Sequence, residues 1–328
     1  MKKLLSIGIT ICDKDYKLCE NLLKQISEKV KIEHEVIIID NRERFDAEET
    51  SWTPTYSFGY NAYQFSARAK IIELSKGDYI WFVDGDDDIR EIESFDWTED
   101  IIAFSYSTYP IGDVHIKDDL ITQNIFSYDT SVIIRPVLWN KFIKKSLFTD
   151  DFINKYRDLK IVTNEDVIWC YEALRHAKSV RIVDKIIYQH NLGLSNRQDS
   201  FSEDNLNETT TGYKEMAEVL REVIGNEDFF KKSFMDTCYH VMSFVPLVKN
   251  IYDALDYMLT IMPLEHFKEA LYVSVYPQLK SSEQHKKIVE YLLDKVGEEL
   301  VYKKCVEKVT YADGREEEVE FYQKIDFE

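Results

Sequence analysis

Three short apolar runs, each ending at acidic side chains, constrain this chain more than any other feature. LLSIGITIC stops at Asp13, HEVIIIDN ends on Asp40 and Asn41, and DYIWFVD ends on Asp84 and continues into GDDDIR. Runs of this length without alternation read as strands buried on both faces, the habit of parallel sheets enclosed by helices. Between the first two, Tyr16 to Val30 sets Leu18, Leu22, Leu23, Ile26 and Val30 on one helical face. Strand, helix and strand at that spacing make a βαβ unit. A second helix is expected over 61–75, closed by Lys76 with Gly77 as its C-cap. Polar groups therefore gather at the carboxyl ends of three strands (Asp13, Asp40, and Asp84 with Asp86). In open α/β sheets that edge binds ligands.

Further along, IIAFSYSTY and SVIIRP read as short strands and VLWNKFIKKSLF as a helix. VIWCYEALRHA reads as a helix with Val167, Cys170, Tyr171 and Leu174 on one face and Asn164 as N-cap. KSVRIVDKIIYQH reads as a strand pair. After SEDNLNETTTG, helices are expected over 213–224, 229–248, 251–262, 264–276 and 283–295. Two alternating stretches around Asp313-Gly314 predict a closing hairpin. The organisation is an α/β domain over 1–200 and a mostly helical domain over 201–328. The second region carries no chemical motif. Its apolar positions, among them Phe229, Phe230, Phe234 and Met242, suit helix packing, acceptor docking or homo-oligomerisation.

The net charge is −19, from 60 acidic and 41 basic residues. Nucleic acid is bound largely through phosphate neutralisation, so this balance disfavours it as a partner. Five cysteines, an odd number with no CxxC spacing, argue against a disulfide framework and a cysteine-rich zinc site. No run approaches the length of a transmembrane helix, and the N-terminal apolar stretch is interrupted at Asp13 and Asp15. A cytoplasmic protein is expected.

FVDGDDD is the string that carries chemistry. Carboxylates crowded at the end of a buried strand repel one another, and a divalent cation relieves that repulsion; hard oxygen ligands suit Mg2+ or Mn2+. Such an ion neutralises a diphosphate as it leaves. An acidic surface turn is the alternative.

Five segments in order resemble a family 2 glycosyltransferase with a GT-A nucleotide-diphospho-sugar domain, over residues 4 to about 195. They are SIGITICD, EVIIIDN, SARAKIIELSKGDYIWFVDGDDDI, the Trp139–Phe148 stretch WNKFIKKSLF, and NEDVIW. The resemblance implies a metal-dependent, inverting transferase that uses a nucleotide-sugar donor, such as a UDP-sugar, and a glycan-type acceptor, as in polysaccharide biosynthesis. It places Asp40 on the pyrimidine base, with Thr10 and Cys12 lining the base pocket. It places Arg68 at the nucleotide or its diphosphate, Asp84 at the ribose or metal, and Asp86 on the metal. Asp166, second in the E-D pair, becomes the base that deprotonates the acceptor hydroxyl. His190 is a candidate metal ligand, Asp87 an alternative to Asp86, and Arg197 a candidate diphosphate contact. Cys12-Asp13 stands where the family has Tyr-Asn, Tyr63 where it has a glycine, and Ala69 follows the motif arginine in place of asparagine. A non-catalytic binding module, or a transferase acting on a protein or a modified nucleic-acid base, are the alternatives.

Overall fold

A computed structural model describes residues 3–11, 16–41, 51–58, 63–159, 161, 165–191, 206–234, 302–310 and 316–324. The chain divides into two compact units, Met1–Arg197 with Thr211–Phe229, and Gln198–Thr210 with Phe230–Glu328.

The first unit is built on strands β1 (Leu5–Ile11), β2 (His34–Asp40), β3 (Tyr56–Ser57), β4 (Tyr79–Asp84), β5 (Asp88–Ile89), β6 (Ile101–Tyr109), β7 (Gly112–Val114), β8 (Asp119–Ile121), β9 (Lys141–Lys144) and β10 (Val180–Asn191). Among the described residues they form one mixed sheet in the order β3-β2-β1-β4-β9-β6-β10-β5, with β7 on β6 and β8 on β10. β1 is parallel to β2 and β4, and β6 is parallel to β10. The short β9 lies antiparallel between β4 and β6. The carboxyl ends of β1, β2, β4, β6 and β10 therefore share one edge, carrying Ile11, Asp40, Asp84, Tyr109 and Asn191.

Helices cover the sheet: α1 (Tyr16–Lys29), α2 (Gln64–Leu74), α3 (Tyr128–Ile134), α4 (Asp150–Tyr156) and α5 (Glu165–His176), with α6 (Leu206–Ile224) following β10 in sequence. On one face Trp81 packs edge-on to Phe104, Phe142 and Tyr188. Elsewhere Phe65 of α2 stacks on Trp169 of α5 at 4.6 Å, and Phe148 meets Trp169 edge-on. Burying rings of this size is the dominant favourable term for such a layer.

Four sequence expectations are corrected. SVIIRP is not a strand. Ser127 accepts from the amide of Thr130 and caps α3, which buries Thr130, Ser131 and Ile134 and leaves Val132 and Ile133 exposed. VLWNKFIKKSLF is not a helix. It turns at Trp139–Asn140 and continues as β9, with Lys141 to Ile143 all buried and Phe142 in the aromatic core, and then as a 3-10 turn over Lys145–Leu147. KSVRIVDKIIYQH is one strand, not two; β10 bulges between Val183, opposite Phe104, and Tyr188, opposite Tyr106. The bulge is tied by Ser105 Oγ, which donates to Asp184 (2.7 Å) and accepts from the Ile116 amide (2.8 Å). Gly77 does not cap α2, which ends on Ser75, whose amide and hydroxyl both return to the Ile71 carbonyl. A Cβ on Gly77 would lie 2.5 Å from Ser6 Oγ, so glycine is needed there for a close crossing of chains.

α6 starts before the expected 213. A further helix covers 227–234. In the second unit β11 (Tyr302–Thr310) and β12 (Glu316–Lys324) pair antiparallel in the expected hairpin. Asn164 and the helices expected over 251–295 lie outside the described residues.

Candidate active site

Asp84 closes β4 and is the meeting point of the sheet edge. Its Oδ1 accepts from Gln64 Nε2 (3.1 Å) and Arg68 Nη2 (3.4 Å), and its amide donates to the Tyr188 hydroxyl (3.1 Å). Gln64 also reaches Thr10 Oγ1 at 3.3 Å, so α2 joins the ends of β1 and β4. At Gly85 a Cβ would lie 2.6 Å from Ile11 Cδ1 and 3.2 Å from the Thr10 carbonyl, so the acidic turn lies close against β1 and a side chain there would push that methyl aside.

The carboxylates after Gly85 divide. Asp87 is 2% exposed; its Oδ2 accepts from the Tyr188 hydroxyl (2.5 Å) and lies 3.1 Å from His190 Nδ1, and its Oδ1 accepts from the Asn191 amide (2.7 Å). Asp88 accepts from Asn21, Gln25, Gln189 and Asn191. Both turn inward and clamp the loop to β10 and α1. Burial, Asp87 and Asp84 together push the Tyr188 phenol well up, keeping it a hydroxyl that donates to Asp87. The side chain of Asp86 is half-buried, and its carbonyl accepts from Asn191 Nδ2 at 3.1 Å.

Arg68 is the cation expected at the nucleotide or its diphosphate. Its guanidinium is 2% exposed and lies between Asp84 and Glu165, with Nη1 3.0 Å from Glu165 Oε1. A charge so deeply buried is retained only when paired, and here two carboxylates do so. Glu165 is accordingly a buried ion-pair partner, 5% exposed. The next residue, Asp166, is half-buried in the first turn of α5, where the helix dipole favours a carboxylate.

Across the edge, Trp139 is 8% exposed and stacks on Tyr188 (4.9 Å) and His190 (5.3 Å), with Tyr106 edge-on at 4.7 Å. The segment leading to it is held from inside. Lys141 is fully buried, and its ammonium donates to the carbonyls of Ile134 (2.9 Å), Arg135 (2.5 Å) and Val137 (2.7 Å) and to Asn140 Oδ1 (2.5 Å). Burial pushes that ammonium down to about 8, against the pull of Cys170 and Asp166. Arg135 adopts φ 59°, ψ 130°, a conformation costing a side-chain-bearing residue ~1–3 kcal/mol.

The edge thus brings together Thr10, Asp84, Asp86 and His190, and through Arg68 it is joined to the turn bearing Asp166. Asp40 is buried at the end of β2, its carbonyl accepting from the Phe58 amide. Cys12 and Arg197 lie outside the described residues. Sequence reasoning missed Gln64, Tyr188, Asn191 and Lys141. Gln64 and Arg68 are one helical turn apart, a spacing that places both on the face toward Asp84. Among the described residues no three His, Cys, Asp or Glu side chains converge as a metal cage, and no helix is long and apolar enough to cross a membrane.

No family model and no curated protein matches the chain. Solved structures do. S. aureus TarS 1–349 is similar at a TM-score of 0.53 and 14% identity, over 92% of this chain and 94% of that one. S. aureus TarS 1–349 in complex with UDP-GlcNAc is similar at 0.54 and 16% identity, over 99% and 100%. S. aureus TarS is similar at 0.52 and 14% identity, over 97% of this chain and 60% of that one. At such identity the likeness carries the fold, and the GT-A architecture expected from the sequence is the one found.

Proposed function

We propose that this chain transfers a sugar from a nucleotide-diphosphate donor, a UDP-sugar, to a hydroxyl of a glycan or glycoconjugate, inverting the anomeric carbon. One observation carries the reading: a single guanidinium, Arg68, touches both Asp84 and Glu165, so the acidic turn and the E-D pair belong to one site. The GT-A fold shared with a UDP-GlcNAc complex supports the donor class. Asp40 meets the pyrimidine base, Thr10 and Cys12 line its pocket, and Asp84 meets the ribose.

Asp86 fits a hard divalent cation. Mg2+ and Mn2+ sites commonly use one or two carboxylates and complete their shell with water and substrate phosphate, so the absence of a three-residue cage does not count against one. His190 is the second proposed ligand, its ring held at Nδ1 by Asp87. A cation bound there would neutralise the departing diphosphate.

Asp166 accepts the proton of the acceptor hydroxyl while that oxygen bonds to the anomeric carbon. The bond from that carbon to the diphosphate oxygen breaks, and its electron pair leaves with the nucleotide. Calorimetry with UDP and UDP-sugars, in Mn2+ and then in EDTA, tests the reading. Asp86→Ala should remove the metal-dependent part of the affinity. Asp166→Asn should keep that affinity while turnover falls about 10²–10⁴-fold, the usual contribution of a general base. Equal binding with and without metal would remove Asp86 from its role. No nucleotide binding by the folded protein would favour a non-catalytic module.

A further inference from the structure

Arg135 combines three properties that packing alone does not require. It bears a side chain at φ 59°, in a region that favours glycine. Its strained peptide is held by a buried cation, since Lys141 gathers the carbonyls of residues 134, 135 and 137. Its guanidinium is nonetheless on the surface, beside the Tyr106 hydroxyl, in a chain of net charge −19. Among the described residues no carboxylate lies within ion-pair distance of it, whereas Arg68, Arg157, Arg175 and Arg221 each have one.

The surroundings say where this cation points its chemistry. Tyr106 packs edge-on to Trp139, Trp139 stacks on His190, and Tyr106 is opposite Tyr188 at the edge that carries Asp84. Resting on the transferase reading above, we infer that Arg135 is a substrate-binding residue that takes a phosphate oxygen, and that Lys141 positions it. A guanidinium matches phosphate in geometry and stays charged at any working pH. The phosphate has two sources, the donor's diphosphate or a phosphate group on the acceptor.

The test compares wild type with Arg135→Gln and Arg135→Gly, the latter removing the charge and the unfavourable φ together. Glycine should melt no lower than wild type, so lost binding in that variant cannot be lost folding. Affinities are measured for uridine, for UDP, and for inorganic phosphate added to the UDP-loaded protein. A tenfold or greater loss for UDP with uridine unchanged assigns Arg135 to the donor. Unchanged UDP affinity with phosphate binding lost assigns it to the acceptor. Wild-type affinities for all three probes in both variants would overturn the inference. A wild-type protein that binds neither uridine nor UDP would sink the transferase reading. Phosphate binding to that protein, lost in both variants, would still uphold the anion site, and its persistence in them, or its absence from wild type, would overturn it.

Discussion

Arg68 and Lys141 are both cations sealed from solvent, and they are held in opposite ways. Arg68 is neutralised by two carboxylates, Asp84 and Glu165. Lys141 is solvated by three backbone carbonyls and one side-chain amide. The first arrangement orders the acids on either side of it. The second orders only a length of backbone, and it leaves the shape of the loop, rather than any one charge, as what depends on the lysine. One region of the edge is set by ion pairing and the other by internal solvation.

Removing each cation breaks the comparison at a different depth. Arg68→Met strands two buried carboxylates and should cost about 3–5 kcal/mol, read as a lowered midpoint in urea. Lys141→Met strands dipoles rather than charges, so about 1–3 kcal/mol is expected in the same titration. Equal losses would mean that Lys141 works as a charge and would erase the distinction.

Glu172 gives the smallest and sharpest contrast, a buried anion with imperfect compensation. Burial pushes its carboxyl up to about 7, against Arg175 and the Thr149 hydroxyl, which lies at 3.0 Å. The folded state therefore holds this proton more tightly than the unfolded one. The resulting stability is complete below the ordinary value of 4.5 and is lost as pH rises through about 7. Glu172→Gln should remove that loss, so its melting temperature gains on wild type across the interval. His176, lowered by burial and by Arg175, slopes the other way, and the wild-type-minus-variant difference is the quantity to follow. A flat difference would show that Arg175 and His176 already compensate the charge.

Much of the sheet edge was legible because its signal is local. Strands β1, β2 and β4 are continuous apolar runs, and Asp40 and Asp84 are the last residues of β2 and β4; Asp13 lies outside the described residues. The helix carrying Val167, Cys170, Tyr171 and Leu174 was legible for the same reason, and all four side chains are buried. What escaped depends on distant partners. The pairing of Arg68 with Glu165, far along the chain, is visible only once the fold places the two together. Lys141 sits in a string that reads as helical, because nothing in WNKFIKK shows that the lysine would be swallowed by carbonyls on its own approach loop. Ser127 could have been read as a cap, but the β-branched run after it spoke more loudly than one hydroxyl. Asp87 read as an alternative to Asp86 because sequence shows how many carboxylates a turn has and not which way each is turned.

The bulge in β10 has a consequence for how this protein can change over generations. Between paired positions β10 travels from Val183 to Tyr188 while β6 travels only from Phe104 to Tyr106. Phe104 and Tyr106 share a face, yet their partners Val183 and Tyr188 are five residues apart, so strict alternation is broken inside the bulge and its unpaired residues absorb the offset. A single-codon insertion or deletion there changes the bulge and leaves Tyr188 opposite Tyr106 and His190 against Trp139. The segment can therefore drift in length as well as in sequence without moving either ring.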